Sequence, residues 1–108
     1  IGITDAFTGR DDPSGQTGIM GFSFIDPEYR GFGYSSYFYK ARIDFALSYE
    51  PWTKLHIGHR EGNNVSRAAM IKHGFEYVNS EEIDFPDGTR DLEHNYELDL
   101  VALRKNVL

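Results

Sequence analysis

Apolar residues along this chain fall into short runs separated by turn formers, and the runs carry two different periods. Thr17 to Ile25 is apolar enough to be a buried strand, and Ile1 to Phe7 reads as the strand before it. The loop between them, Gly9 to Gly18, contains Asp11-Asp12-Pro13-Ser14-Gly15, a dense run of turn residues that lets the second strand return antiparallel to the first. From Gly33 to about Ser48 the pattern is helical. Tyr34, Phe38, Ala41 and Phe45 are predicted to share one face, with Lys40, Arg42 and Asp44 among the other positions, and Glu50-Pro51 ends the helix. Leu55 to His59 reads as a further strand. A short helix follows Asn63, which can cap its N-terminus, and Gly74 supplies a left-handed C-cap. Phe75 to Phe85 and Arg90 to Leu100 flank Pro86-Asp87-Gly88-Thr89, a hairpin signal, and the second run alternates near its end as Tyr96, Leu98 and Leu100. Asp91, Glu93 and Glu97 read as its exposed face. The class expected is α+β, without repeats, low-complexity tracts or linkers.

Composition narrows the picture. A chain of 108 residues with 40% apolar content is expected to form one domain, residues 1–108, burying roughly two-thirds of its unfolded surface. It has no cysteine, so disulfides, thiolate nucleophiles and thiolate zinc sites are excluded. Its apolar runs are far shorter than a membrane span and no signal-like segment precedes them, so a soluble, cytoplasmic protein is expected, with no membrane partner. The net charge of -6 and the lack of a basic stripe argue against a nucleic-acid partner. That charge is easier to reconcile with a cationic or amine substrate, although an acidic excess also serves solubility alone.

The most informative segment is Pro27-Glu28-Tyr29-Arg30-Gly31-Phe32-Gly33-Tyr34-Ser35-Ser36, which joins the apolar strand to the helix through a glycine-rich turn. Such a turn leaves backbone N–H groups at the positive end of the helix dipole, where a phosphate or pyrophosphate can accept them. Gly31 and Gly33 allow close approach, and Ser35 and Ser36 add hydroxyl donors. The same turn would also serve simply to close a strand onto a helix. No Gly-Lys-Ser/Thr is present, and Tyr37 or Phe38 stands where the third glycine of a dinucleotide fingerprint would be.

What remains, Arg30-x-x-Gly33-x-Ser35 preceded by Pro27, resembles the coenzyme A pyrophosphate loop of the GNAT N-acetyltransferase superfamily. A second segment, Asn63-Asn64-Val65-Ser66-Arg67-Ala68-Ala69-Met70-Ile71-Lys72-His73-Gly74-Phe75, is similar to the superfamily's N-x-x-S/A helix ending in G-F. Both stand at the expected strand-to-helix junctions, and the resemblance covers roughly residues 17–100. It implies a GNAT-like mixed, mostly antiparallel sheet with flanking helices. Two strands and two helices of the superfamily have no counterpart, so the chain is expected to be a fragment beginning at the third strand, the alternative being a trimmed family core. A sheet edge exposed in this way would favour self-association, as in a homodimer.

By the same resemblance, acetyl-coenzyme A is the cosubstrate and no metal is used. The main chain of Phe24 and Ile25 would pair with the pantetheine arm, and Arg30, Gly31, Phe32, Gly33, Tyr34 and Ser35 would hold the pyrophosphate. Asn63 and Ser66 complete the cofactor-binding set, Asn63 both capping its helix and offering its amide to the ligand. The tyrosine that many relatives use to reprotonate the thiolate is replaced by Met70, whose thioether cannot donate a proton. For the base, Thr17 to Ile25 holds no carboxylate, and His59 at a strand end is the candidate, since imidazole titrates in the useful range. A hydrogen-bonding strand-end residue is the competing reading of His59. His56 and His59 should face opposite sides of their strand, making a poor metal pair. His73 belongs to a helix C-terminus, and His94 has no assignable role. Tyr29, Tyr34, Tyr37 and Tyr39 cluster around the turn, mostly as packing, and Arg67 is either a phosphate contact or a solvated helix position. The function expected is transfer of an acetyl group to a primary amine of a small molecule or peptide by direct attack. The alternative is a non-catalytic acyl-coenzyme A-binding module or structural fragment of the same fold.

Overall fold

The computed structural model describes residues 2–9 and 12–106, the side chains of Ile3 and residues 22–25 excepted. Among them are five strands, three α-helices and a short 3-10 turn, in the order β1 (Gly2–Thr8), β2 (Thr17–Ile25), the turn Pro27–Tyr29, α1 (Tyr34–Ser48), β3 (Lys54–Arg60), α2 (Asn64–Lys72), β4 (Glu76–Asp84), β5 (Arg90–Asp99) and α3 (Leu100–Asn106). The α+β expectation holds. Ile1 and Asp11 lie outside the described residues. By internal contacts the chain divides into two compact units, Ile1–Leu55 with Asp99–Leu108, and His56–Leu98.

In the first unit β1 and β2 pair antiparallel, and the register slips by one residue so that Gly21 and Phe22 together stand opposite Asp5. Their loop is held by Asp12. One oxygen of its carboxylate accepts from the Ser14 amide at 3.0 Å and the Ser14 hydroxyl at 2.5 Å, and the other accepts from the Thr17 hydroxyl at 2.6 Å. Trp52, almost wholly buried, covers Gly18 so closely that an added Cβ would stand 2.5 Å from the indole ring, and its Nε1–H donates to the Thr8 hydroxyl at 3.2 Å.

Helix α1 begins and ends as expected but turns a different face inward. Tyr39, Arg42 and Ala46, spaced at i, i+3 and i+7, are buried, whereas Ala41 and Phe45 of the expected face are exposed. Arg42 explains the error: its guanidinium packs 5.0 Å over the Tyr39 ring and its Nε–H donates to the Phe38 carbonyl at 3.2 Å. A long cationic stem thus fills a position that a binary pattern assigns to solvent. Burial makes loss of the Tyr39 proton and retention of the Arg42 proton both harder. The displaced Phe45 stacks on Tyr49 at 6.1 Å and meets the edge of Trp52 at 5.8 Å.

The second unforeseen feature is α3. Leu100 starts this helix instead of ending β5, and it is fully buried, with its N–H on the Thr53 carbonyl at 3.0 Å. Arg104 of α3 donates to the carbonyls of Ala46, Leu47 and Tyr49 at 2.9, 3.1 and 3.0 Å. The Ala46 and Tyr49 carbonyls also accept the N–H groups of Tyr49 and Trp52, so Arg104 adds side-chain donors to the C-terminal end of α1.

In the second unit the strand order is β3, β5, β4. Helix α2 is delimited by local chemistry. Asn63 Oδ1 accepts from the Ser66 amide at 3.2 Å, and Gly74, at φ +91, closes the other end with N–H bonds from Gly74 to the Ile71 carbonyl and from Phe75 to the Met70 carbonyl. The β4–β5 hairpin is tied to β3 by Arg60, which donates to Asp91 at 3.1 Å, to Asp87 at 2.8 Å and to the Thr89 hydroxyl at 2.6 Å, with its guanidinium 4.4 Å over the Phe85 ring. Hydrogen bonds from Thr89, then from Arg60, hold the Asp87 carboxyl well below the usual range. Asp91, Glu93 and Glu97 are half-buried, not a fully exposed face as expected.

Two measurements probe these local anchors. Bonds from Ser14 and then Thr17 lower the Asp12 carboxyl from 3.8 to about 2. A carboxyl depressed in the folded state stabilises above its unfolded pKa and loses that contribution as pH falls through the folded one. Asp12→Asn should therefore show a smaller drop in urea midpoint than the parent between about pH 5 and pH 2. Asn63→Ala removes the α2 cap and should cost about 1 kcal/mol in thermal or urea unfolding, whereas Asn63→Gly should cost only a few tenths.

Candidate functional site

The first candidate site is the turn after β2. Pro27–Tyr29 forms the 3-10 turn, Arg30 is extended, and Gly31 and Gly33 adopt φ of +86 and +81, a region that L side chains avoid. A Cβ built at either glycine meets nothing within 4 Å, so glycine is required here by backbone conformation, and the space beside it is open. Gly33 is the N-cap of α1 and brings no side-chain bond to the helix start, while Ser36 N–H bonds the Gly33 carbonyl at 3.1 Å. Arg30, Gly31, Phe32, Gly33 and Ser35 are exposed and Tyr34 is half-buried. Tyr34 lies 6.2 Å from each of Tyr29, Phe32 and Tyr37, forming one aromatic wall, whereas Tyr39 is committed to Arg42. Phe24 and Ile25 pair with Ile3 and Gly2 through the main chain, and their side chains lie outside the described residues.

The second candidate site lies wholly within His56–Leu98. It is a cavity of about 450 Å³ whose lining includes His59, Glu61, Arg67, Tyr77, His94 and Tyr96. The residues reach it through strand register. Along β3, Leu55, Ile57 and His59 point to the buried side and His56 to the other, as expected. The bond from Glu61 N–H to the Leu92 carbonyl, 2.9 Å, brings His59 level with His94, and their rings stand 5.2 Å apart. On β4 the register slips between Tyr77 and Asn79, Asn79 pairing with Asn95 but Tyr77 with Tyr96. The extra residue, Val78, turns Tyr77 onto the His94 and Tyr96 side; regular alternation would put it beside Asn95.

Hydrogen bonds fix the ring protons. The Arg60 carbonyl, 2.9 Å from His59 Nδ1, can only accept, so this nitrogen carries the hydrogen and Nε2 of the neutral ring accepts from the Tyr96 hydroxyl at 3.2 Å. The Glu61 carboxylate stands 2.6 Å from His94 Nε2 and likewise accepts, so in the neutral ring Nδ1 accepts from the Tyr77 hydroxyl at 3.0 Å. Glu61 and Tyr77 are largely exposed, while Tyr96 and His59 are buried.

These positions revise the sequence-derived expectations. His59 is at the strand end as expected, but both its nitrogens are engaged, so it meets a ligand only through Tyr96. His94, to which no role was given, is the centre of the exposed network. Asn63 and Ser66 are joined by the α2 cap, and Arg67 is an exposed residue of the cavity lining. Met70 is buried in the core, and His73 Nδ1 bonds the Ala69 carbonyl at 2.8 Å at the end of α2. Tyr96 and Tyr77 were passed over because each reads as a packing residue in its strand. The signal available was parity: His94 and Tyr96 alternate with the same period as Leu98.

Among the described residues no group of three His, Cys, Asp or Glu is arranged to hold a metal ion, and no helix is long and apolar enough to cross a membrane. No family model and no curated protein sequence matches this chain. Solved structures do. An N-acetyltransferase from Staphylococcus aureus Mu50 superposes with a TM-score of 0.79 at 23% identity, covering 92% of this chain and 60% of that one. An acetyltransferase of the GNAT family from Streptococcus pneumoniae gives 0.76 at 19%, covering 91% and 59%. A Salmonella typhimurium protein solved with its cofactor acetyl-CoA gives 0.80 at 17%, covering 92% and 57%. The chain therefore spans less than two-thirds of the length of these structures, and over that span its fold is that of the GNAT acetyltransferases.

Proposed function

We propose that this chain is the coenzyme A-binding portion of an N-acetyltransferase that moves an acetyl group from acetyl-coenzyme A to a primary amine by direct attack. The observation that carries this reading is the Arg30–Ser35 turn: two left-handed glycines, an N-cap without a side-chain bond, and open space beside both glycines at the start of α1. A pyrophosphate is the ligand such a turn suits, since it accepts from backbone N–H groups and is favoured by the helix dipole. In this reading Arg30, Gly31, Phe32, Gly33, Tyr34 and Ser35 hold the pyrophosphate, and Phe24 and Ile25 offer main-chain groups to the pantetheine arm.

The chemistry needs little beyond positioning and one proton acceptor. The neutral amine nitrogen attacks the thioester carbonyl carbon, the new C–N bond forms as the C–S bond breaks, and the ammonium proton leaves for a base. We assign that base to His59 acting through Tyr96: the Tyr96 oxygen takes the proton as its own hydrogen passes to His59 Nε2. The coenzyme A thiolate is reprotonated from water, because the superfamily's tyrosine position is the buried Met70. That methionine also favours a second reading, a module that binds acyl-coenzyme A without transferring it.

Gly33→Glu places an anion and a side chain where the pyrophosphate would lie, at a backbone conformation unsuited to it. Calorimetry should show coenzyme A binding lost while circular dichroism retains the fold, and unchanged affinity would overturn the site. His59→Gln should lower turnover by at least ~100-fold with an amine panel and leave coenzyme A affinity intact. Binding without transfer by the parent chain would favour the module.

A further inference from the structure

In the second unit, the sheet face turned away from the aromatic cavity carries a buried acceptor without a donor. Asn95, 4% exposed, uses its Nδ2 twice, donating to Asn79 Oδ1 at 3.0 Å and to Glu81 Oε1 at 3.3 Å. The Glu81 carboxylate takes a hydrogen bond only from the amide nitrogen, so Oδ1 is fixed on the other side. That oxygen is enclosed and has no hydrogen-bond partner among the described residues. Folded proteins leave few such atoms, because a buried acceptor without a partner loses its hydration for nothing.

The group beside it is a second acceptor. Alternation along β5 puts Glu93 and Asn95 on one face, and the β4–β5 register sets Asn79 opposite Asn95 and Glu81 opposite Glu93. Gly58 of β3 brings no side chain there, and a Cβ built on it would stand 3.1 Å from Asn95 Oδ1 and 3.2 Å from the Glu93 carboxyl carbon. The amide oxygen and the Glu93 carboxylate therefore border one space above Gly58, and Glu81 adjoins it through the Asn95 amide. Like charges directly opposite on neighbouring strands repel. The arginines of these strands are committed elsewhere, Arg60 to Asp87, Asp91 and Thr89, and Arg90 to Glu82 and Asp84. Neither Glu81 nor Glu93 has an ion pair among the described residues.

We propose that Glu81, Glu93 and Asn95 Oδ1 form a site for a hard divalent cation of the calcium class, held by two carboxylates and one amide oxygen with water completing its shell. Calcium takes roughly six to eight oxygen ligands in flexible geometry, amide carbonyls and waters among them. Magnesium dehydrates reluctantly and gains less from an enclosed amide oxygen. With two charged ligands on an open sheet face, the dissociation constant expected is on the order of 10⁻⁴–10⁻³ M. The cation supplies the positive charge that the facing glutamates lack, gives Asn95 Oδ1 its partner and fastens β4 to β5. This site goes beyond the acyl-transfer reading, and its occupancy requires neither coenzyme A nor an acceptor.

Calcium chloride titrated into the full chain, against sodium chloride at matched ionic strength, should give saturable chemical-shift changes at the Asn95 side-chain amide, the Gly58 amide and the Glu81 and Glu93 carboxyl carbons. Glu93→Gln removes one ligand together with the facing charge. It should weaken calcium binding by at least ~10-fold, yet in EDTA the variant should resist urea at least as well as the parent, since the repulsion is gone. Calcium should raise the urea midpoint of the parent and not that of the variant. Shifts reproduced by sodium chloride, or none up to about 10 mM calcium, would mean that water alone satisfies Asn95 Oδ1 and would overturn the proposal. A Glu93→Gln variant that keeps the calcium shifts would place the ion elsewhere and overturn it too. Methylguanidinium binding as tightly as calcium would also overturn it, giving the face to an arginine of another protein. Each of these readings is taken without coenzyme A, so none depends on whether the chain transfers an acetyl group.

Discussion

A single extra residue in β4 is the constraint on which the cavity depends. Strand side chains alternate with a period of two, so a slip of one position reverses every face beyond it. Val78 makes that slip between Tyr77 and Asn79, and Tyr77 joins the face that already carries Tyr96 and His94. With regular pairing the Tyr77 hydroxyl would sit on the other side of the strand, and His94 Nδ1 would lose its donor. The opposite face is built with equal care. Asn95 is buried there with its amide on Asn79 and Glu81, and Gly58 is small because a Cβ would come within 3.1 Å of the Asn95 oxygen.

The two histidines show how neighbouring rings acquire opposite roles. His59 is closed at one nitrogen by a backbone carbonyl, a neutral acceptor that fixes the ring without charging it. His94 is closed by a carboxylate, which places an anion beside the ring. His94 Nε2 thus faces an anion at 2.6 Å, whereas His59 Nδ1 faces a backbone dipole at 2.9 Å.

Features of the fold set by local chemistry were legible in the sequence. Asn63 and Gly74 bound α2 because capping is a property of a few adjacent residues, and Asp87-Gly88 marked the hairpin for the same reason. The glycine turn was legible too, since Gly31 and Gly33 have left-handed φ that only local geometry demands. The inward face of α1 was not, because the stem of Arg42 does the work of an apolar residue. Helix α3 was missed because its reason for existing is distant: Arg104 satisfies carbonyls more than fifty residues earlier in the chain. His94 stayed without a role on the same ground. Its partners, Glu61 and Tyr77, are 33 and 17 positions away, and one of them arrives only through the bulge.

The acidic excess of the chain can be read again in this light. Much of it is internally spent: Asp12 organises the first loop, Asp87 and Asp91 hold Arg60, and Asp84 and Glu82 flank Arg90. Glu61 differs from these. Its carboxylate stands 2.6 Å from the His94 imidazole, at the mouth of an aromatic cavity. Net charge alone says little about a ligand, since a field of -6 is spread over the whole surface. A carboxylate without a permanent cation, beside hydroxyl oxygens whose hydrogens point inward, is a far more local statement.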